Sequence, residues 1–178
     1  MKSKNFFKII YYIVVLIRIF SLVFFFIDPL LGWIVCFVLD TADYAFALRF
    51  MNSYDEYQNI DKVLDLFSRV YFVFTAYIFS WPYAWIFVLL FFIRLVGDIL
   101  YFYTKKEKYF FYFPNIIEYF FLLFIFILPS ISVEKIIFIL IISIVVKIVQ
   151  EYILHIKKWI DPLNLKYLKE HPEYKRER

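Results

Sequence analysis

Residues 9–27 read IIYYIVVLIRIFSLVFFFI, an apolar run of 19 residues. As a helix rising about 1.5 Å per residue, a run of this length crosses a hydrocarbon core of about 30 Å. Further apolar runs follow, and most prolines fall in the connections, where a missing N–H costs least. We therefore predict six spans, from Ile9 to Ile27, Pro29 to Met51, Tyr57 to Ser80, Pro82 to Tyr103, Tyr109 to Leu128 and Val133 to Ile156.

The composition of the chain also favours lipid surroundings. Of its 178 residues, 64% are hydrophobic, and the mean hydropathy is +0.73. A soluble fold of this size could not cover so many apolar side chains with polar surface. The single cysteine, Cys36, excludes a disulfide framework. The sequence predicts an all-α polytopic membrane protein, with a transmembrane domain over residues 1–158 and a basic cytoplasmic tail over residues 159–178.

The basic residues predict how the spans are oriented. They cluster before span one, between spans four and five, and after span six, as Lys2, Lys4, Lys8, Lys105, Lys106, Lys108, Lys157, Lys158, Lys166, Lys169, Lys175, Arg176 and Arg178. Cytoplasmic loops carry the excess of Lys and Arg in membrane proteins, so both termini are expected in the cytoplasm. The basic tail is expected either to lie along the anionic membrane surface or to be solvated and partly disordered, and the sequence favours neither. No pattern supports nucleic acid binding.

Four carboxylates interrupt the second and third apolar runs. Asp40 and Asp43 are three residues apart, and Asp61 and Asp65 are four apart, so each pair shares one face of a helix. The connection at residues 52–56 is short enough for an antiparallel helical hairpin. We expect all four carboxylates to converge near the cytoplasmic end of the membrane. Ionisable groups inside spans indicate function, because burying a charge there is costly.

Converging carboxylates repel one another and need protons or cations to coexist. Oxygen ligands of this kind suit Mg²⁺, Mn²⁺ or Ca²⁺, so a divalent metal site is one prediction. The alternative is a structural set of salt bridges. In that interpretation, Arg69 lies one turn beyond Asp65, and Arg49 lies about two turns beyond Asp43.

Other ionisable residues of the later spans are also spaced for pairing. Arg94 and Asp98 are four apart, as are Lys147 and Glu151, and both pairs are expected to form internal salt bridges. Arg94 is at the same time the best candidate cation for a substrate phosphate. Glu118 falls in the expected first turn of span five, where a carboxylate complements the helix dipole.

At the four aspartates, the sequence resembles the CDP-alcohol phosphatidyltransferase family. That family carries D-x2-D-G-x2-A-R, then eight or nine residues, then G-x3-D-x3-D, across the second and third of six transmembrane helices. The same aspartate spacing and the motif alanine, Ala47, occur in the segment from Asp40 to Asp65. Tyr44 and Tyr57 replace the two motif glycines. Leu48 replaces the motif arginine, and Arg49 follows it.

The resemblance implies a metal-dependent transfer of a phosphatidyl group from a CDP-linked lipid to a small alcohol, with release of CMP. Asp40, Asp43, Asp61 and Asp65 would hold Mg²⁺ or Mn²⁺, and Asp65 would also take the proton of the acceptor hydroxyl. The substrate-binding candidates are Tyr44, Arg49, Tyr57 and Arg94. Two alternatives stay open, a non-catalytic relative that keeps the aspartates for metal binding or folding, and an ion-coupled or proton-coupled transporter. The sequence also leaves open a homodimer.

Overall fold

The computed structural model describes the backbone of residues 2–50 and 54–153, and the side chains of residues 9–42 and 59–153. The predicted basic tail lies outside the described residues. The side chains at the ends of α3 and α4 nearest their connection are also outside the described part. Within the described part, every regular element is helical. This confirms the all-α class that was predicted from the sequence.

Over the described backbone, eight α-helices follow one another, with a 3₁₀ turn at Leu128–Ser130. They are α1 (Lys2–Ser21), α2 (Phe24–Ile27), α3 (Pro29–Phe50), α4 (Tyr54–Ile78), α5 (Trp85–Thr104), α6 (Lys108–Tyr112), α7 (Ile116–Ile127) and α8 (Val133–Glu151). The connections are short. Consecutive long helices therefore lie side by side and run in opposite directions.

Two of the predicted spans are interrupted. In the first, the Ser21 hydroxyl donates to the carbonyl of Arg18 at 2.7 Å, and the chain turns before α2 begins. Such a local bond offers the backbone an alternative to the helix ladder. In the fifth, Pro114 separates α6 from α7, because proline has no N–H to continue the helix. The carbonyl of Pro114 instead accepts from the backbone N–H of Ile116 at 2.9 Å.

Among the residues with described side chains, three helical segments are long and apolar enough to cross a membrane, Ile9–Ile27, Trp85–Thr104 and Lys108–Ser130. The first part of α3, Pro29–Ala42, is a shorter apolar helix. The distribution of polar and apolar side chains is the reverse of that in a soluble protein. Phe20 is 72% exposed, whereas Arg69 is 1% exposed and Arg94 is 2% exposed. An apolar outer surface around buried charges is what lipid surroundings require, so these features indicate an integral membrane protein.

An aromatic core fills the half of the bundle where α4 ends and α5 begins. Phe72 of α4 lies 4.6 Å from Phe121 of α7, measured between ring centroids, and Trp81 lies 5.4 Å from Phe124. Phe25 of α2 adds an edge-on contact with Phe72 at 5.3 Å. These rings hold α2, α4, α5 and α7 together at one end. The opposite half contains the ionisable side chains.

The hairpin of α3 and α4 is antiparallel, as expected. Residues near the start of α3 pair with residues late in α4, and Cys36 Sγ lies 3.3 Å from Ser68 Oγ. Asp40, one turn farther along α3, lies close to Asp61, almost two turns earlier in α4. The short link between the helices therefore brings acidic residues from two helices to the same level.

Gly97 lets α5 approach the segment between α6 and α7. A Cβ atom added at this position would lie 2.7 Å from the Cβ atom of Phe113. The carbonyl of Phe113 accepts a hydrogen bond from Arg94 Nη1 at 3.0 Å, so this close approach also positions a buried cation.

Replacing Gly97 with alanine is expected to destabilise the folded protein. The added methyl group must push Phe113 away, and overpacking of this kind costs about 1–3 kcal/mol. Thermal unfolding of the purified protein in detergent measures the effect. Val96→Ala, at a neighbouring exposed position, is the matched control. Equal midpoints for Gly97→Ala and wild type would show that the segment can move aside at no cost.

Candidate functional site

A charged cavity of about 450 Å³ lies between the helices, in the half of the bundle opposite the aromatic core. Its wall includes five basic and five acidic side chains, Arg18, Lys62, Arg69, Arg94, Lys147, Asp40, Asp61, Asp65, Glu118 and Glu151. They come from α1, α3, α4, α5, α7 and α8. Residues on six helices that are distant in the sequence thus meet around one space.

Three of the four predicted aspartates come together at this cavity. Asp40, Asp61 and Asp65 each offer a carboxylate oxygen, and these oxygens lie within 4.8 Å of one another. The Asp40 side chain is 42% exposed, whereas Asp61 is buried. Asp43 is one turn beyond Asp40 on α3, and its side chain lies outside those the structure describes. The described oxygens are close enough to share one cation.

Arg18 of α1 binds all three of these carboxylates. Its Nη2 atom lies 2.6 Å from Asp40 Oδ1 and 2.8 Å from Asp65 Oδ1, and its Nη1 atom lies 3.4 Å from Asp61 Oδ1. The side chain is almost completely buried. A guanidinium presents several N–H donors in one plane, so a single arginine can bridge several carboxylates. Arg18 thereby joins α1 to both helices of the acidic hairpin.

Lys62 is the second cation of this group. Its Nζ atom lies 2.7 Å from Asp61 Oδ2 and 3.2 Å from Asp65 Oδ2. Salt bridges between the aspartates and basic residues were one alternative at the sequence level, with Arg69 as the expected partner of Asp65. That partner was wrong, because Arg69 pairs with Asp98 while Arg18 and Lys62 hold Asp65. In the part of the chain that the structure describes, two basic side chains, Arg18 and Lys62, contact these three carboxylates.

A second group of ion pairs continues from α4 to α8. Arg69 contacts Asp98, whose other oxygen lies 3.1 Å from Arg94 Nε. Arg94 Nη1 also lies 3.6 Å from Glu151 Oε1. Lys147 Nζ lies 3.1 Å from Glu118 Oε2 and 3.9 Å from Glu151 Oε1. The two predicted pairs, Arg94 with Asp98 and Lys147 with Glu151, are confirmed, and contacts between helices link them into one network.

Arg69 has more donors than acceptors around it. Its Nη2 atom binds Asp98, but its Nε and Nη1 atoms have no hydrogen bond partner among the described residues, although they are buried. The Oδ1 atom of Asn115, another residue of the cavity wall, is buried and unpartnered in the same part of the chain. A buried donor without an acceptor costs about 1–3 kcal/mol, and more when it is charged. The wall of the cavity therefore contains buried donors and an acceptor that have no partner among the described residues.

The predicted substrate-binding residues have different outcomes. Arg94 lines the cavity, where carboxylates, the carbonyl of Phe113 and the Phe110 ring, 4.3 Å away, hold its guanidinium. Its role in binding a phosphate stays a prediction. Tyr44, Arg49 and Tyr57 lie outside the described side chains. Their roles also stay predictions.

Arg18 and Lys62 were missed at the sequence level. Arg18 is the one ionisable residue in the run from residue 9 to residue 27, and a lone charge inside a span calls for a partner of opposite sign. That rule was applied to the aspartates and would also have found Arg18. Lys62 lies three residues before Asp65, a helical spacing that would have predicted this salt bridge. Its contact with the adjacent Asp61 depends on a flexible side chain, which spacing does not predict.

Asp98→Asn is expected to destabilise the protein more than any single change at an exposed carboxylate. The substitution removes the negative partner of both Arg69 and Arg94, and breaking a buried ion pair in this way costs about 3–5 kcal/mol. Glu134→Gln, at a fully exposed position in the first turn of α8, is the control. The measurement is the midpoint of thermal unfolding in detergent. Equal midpoints for the two variants would mean that the network adds nothing to stability.

Comparisons of the chain with protein-family models, with curated proteins and with solved structures gave no match. The resemblance at the aspartates stays a prediction from the sequence. Any function of the cavity has to follow from the residues that line it.

Proposed function

We propose that the chain is a divergent membrane enzyme of the CDP-alcohol phosphatidyltransferase type. It transfers a phosphatidyl group from a CDP-linked lipid to a small alcohol and releases CMP, in a step of phospholipid synthesis. The observation that carries the proposal is the convergence of Asp40, Asp61 and Asp65, from the two motif helices, on one charged cavity. The residues whose spacing suggests this chemistry are thus the same residues that converge on the cavity.

The donor set fits a divalent ion such as Mg²⁺ or Mn²⁺. Carboxylate oxygens are the ligands these ions prefer, and Mg²⁺ usually shares its coordination with substrate phosphates. Asp40, Asp61 and Asp65 bring three carboxylates together, and a divalent ion would add two positive charges to this group. When bound, the ion supplies charge stabilisation to the diphosphate and to the departing CMP.

The chain's own residues would bind, orient and deprotonate the substrates. Asp65 lines the cavity with a partly exposed side chain, and it is the proposed general base. The phosphate oxygens of the donor would accept from Arg69, whose Nε and Nη1 atoms are unsatisfied among the described residues. Arg94, next to it in the network, adds positive charge on the same wall.

We also propose six membrane spans with both termini and the cavity on the cytoplasmic side. Six long helices or helix pairs run back and forth through the bundle, and three of these segments are apolar and long enough to cross. The helices α4 and α8 carry several ionisable residues, which lowers their hydropathy, and the part of α3 with described side chains, Pro29–Ala42, is a shorter apolar helix. Lys105, Lys106 and Lys108 lie where α5 ends, which is the cavity's half of the bundle. The excess of basic residues on cytoplasmic loops supports the orientation.

The second candidate is a non-catalytic relative in which the aspartates serve only the fold. One observation favours it, because Arg18 and Lys62 already neutralise most of the negative charge without a metal. The replacement of two motif glycines by Tyr44 and Tyr57 points the same way, since a phenol ring fills space that glycine leaves for a ligand.

Turnover by the purified protein tests the enzyme. In detergent or lipid nanodiscs, with CDP-diacylglycerol, Mn²⁺ or Mg²⁺ and a panel of small alcohols, CMP should be released. Asp61→Asn should reduce the rate at least about a hundredfold, the scale for losing a group that acts in the transition state. Glu134→Gln should retain the wild-type rate. No CMP release from any alcohol would leave the non-catalytic relative as the better interpretation.

Metal-dependent stabilisation tests the site independently of turnover. A ligand that binds only the folded state raises its stability, by about 2.7 kcal/mol when its concentration is a hundred times the dissociation constant. Mn²⁺ should therefore raise the thermal midpoint of the wild-type protein, and Asp61→Asn should abolish the rise. Na⁺ at matched ionic strength controls for screening. A rise that is identical in wild type and Asp61→Asn would place the bound metal elsewhere.

A further inference from the structure

Arg18 belongs to α1, which contributes no aspartate to the motif. Even so, its guanidinium contacts Asp40 on α3 and both Asp61 and Asp65 on α4. The carboxylates that resemble a metal-binding motif are thus bridged, in this chain, by a cation from a neighbouring helix. One side chain occupies the position between the two motif helices where a shared ion would neutralise them.

The oxygens that a metal needs are already in use. The Oδ1 atoms of Asp40 and Asp65 lie 2.6 Å and 2.8 Å from Arg18 Nη2. The Oδ2 atoms of Asp61 and Asp65 lie 2.7 Å and 3.2 Å from Lys62 Nζ, and Asp61 Oδ1 lies 3.4 Å from Arg18 Nη1. Both oxygens of Asp61 and of Asp65 therefore have a cationic partner. An ion that is coordinated by these two carboxylates competes with those partners for the same oxygens.

Of the two cations, Arg18 is the one that spans the hairpin. Lys62 is on α4 itself and lies against carboxylates of its own helix, whereas Arg18 joins α4 to Asp40 of α3. A metal that bridges Asp40 and Asp65 competes with Arg18 for the same Oδ1 atoms. The displaced guanidinium also loses charged partners inside an apolar bundle, which is costly.

We propose that Arg18 is a tethered counter-ion that competes with the divalent metal for Asp40 and Asp65, and so sets the metal affinity of the site. The proposal rests on the metal site of the proposed function. In this arrangement, the arginine keeps the acidic hairpin folded when no metal is bound. The metal binds only by displacing the guanidinium, so the affinity is lower than three free carboxylates would give.

Mn²⁺ affinity tests the proposal. It can be measured from the electron paramagnetic resonance signal of free Mn²⁺ during titration of wild type, Arg18→Gln and Lys62→Gln in detergent. Arg18→Gln should bind Mn²⁺ at least about tenfold more tightly, a change that equals about 1.4 kcal/mol of binding free energy. Lys62→Gln is the matched control, because it removes the same charge from two of the same carboxylates. Its gain should be clearly smaller than that of Arg18→Gln.

Equal or weaker Mn²⁺ binding by Arg18→Gln would overturn the proposal while leaving the metal site in place. An equal gain in Lys62→Gln would also overturn it, since net charge rather than competition for oxygens would then control the affinity. Binding by Arg18→Gln but not by wild type would support the competition and count against the metal-dependent enzyme. No binding by any of the three proteins would reject both.

Arg18→Gln leaves converging carboxylates with less neutralisation, so its folding is part of the test. A variant that unfolds without Mn²⁺ and folds with it would support the proposal, because the metal then replaces the arginine. If it fails to fold in either condition, Arg18→Lys takes its place. A lysine keeps the charge but concentrates it on one ammonium group, which cannot span three carboxylates as a guanidinium does. Arg18→Lys should then bind Mn²⁺ more tightly than wild type, and unchanged affinity would overturn the proposal.

Discussion

Charges buried inside an apolar bundle must neutralise one another, and the structure of this chain depends on that constraint. A helix surrounded by hydrocarbon gains little from burying an apolar face against its neighbour, because lipid tails are equally apolar. Lipid tails cannot replace an ion pair between helices in this way. Arg18, Arg69 and Lys147 each bind a carboxylate on another helix, and in this way α1, α3, α4, α5, α7 and α8 are connected. The same contacts that hold the helices together also build the wall of the cavity.

The aromatic core complements this ionic network. Rings such as Phe72, Phe121 and Trp81 pack at centroid distances of 4.6–5.3 Å, and they require only shape and apolar contact. The bundle is thus fixed by packing in one half and by charge in the other. Gly97 contributes to both packing and charge. Because it has no side chain, the Phe113 carbonyl comes close enough to accept a hydrogen bond from Arg94. A site built at the charged end can exchange partners without disturbing the packed end.

Sequence reasoning succeeded where contacts are local and failed where they cross between helices. The pairs Arg94 with Asp98 and Lys147 with Glu151 follow from a spacing of four residues. Arg69 with Asp98 and Arg18 with Asp61 join residues 29 and 43 positions apart, and only the packing of the helices brings them together. The helix that ends before Pro114 was likewise predicted to continue. The cluster of aspartates could be predicted because each pair shares one face of a helix and a short link places the two helices side by side.

The cavity differs from what a purely structural network of ion pairs would show. A network that served only stability would be expected to pack tightly and to satisfy every donor, since replacing buried ion pairs by apolar side chains is often neutral or stabilising. Here a space of about 450 Å³ stays open among the charges, and two nitrogens of Arg69 have no partner among the described residues. Asp40, Asp61 and Asp65 lie on the wall of the same cavity as the buried Arg69. That arrangement would suit the metal-bound phosphate of the proposed function.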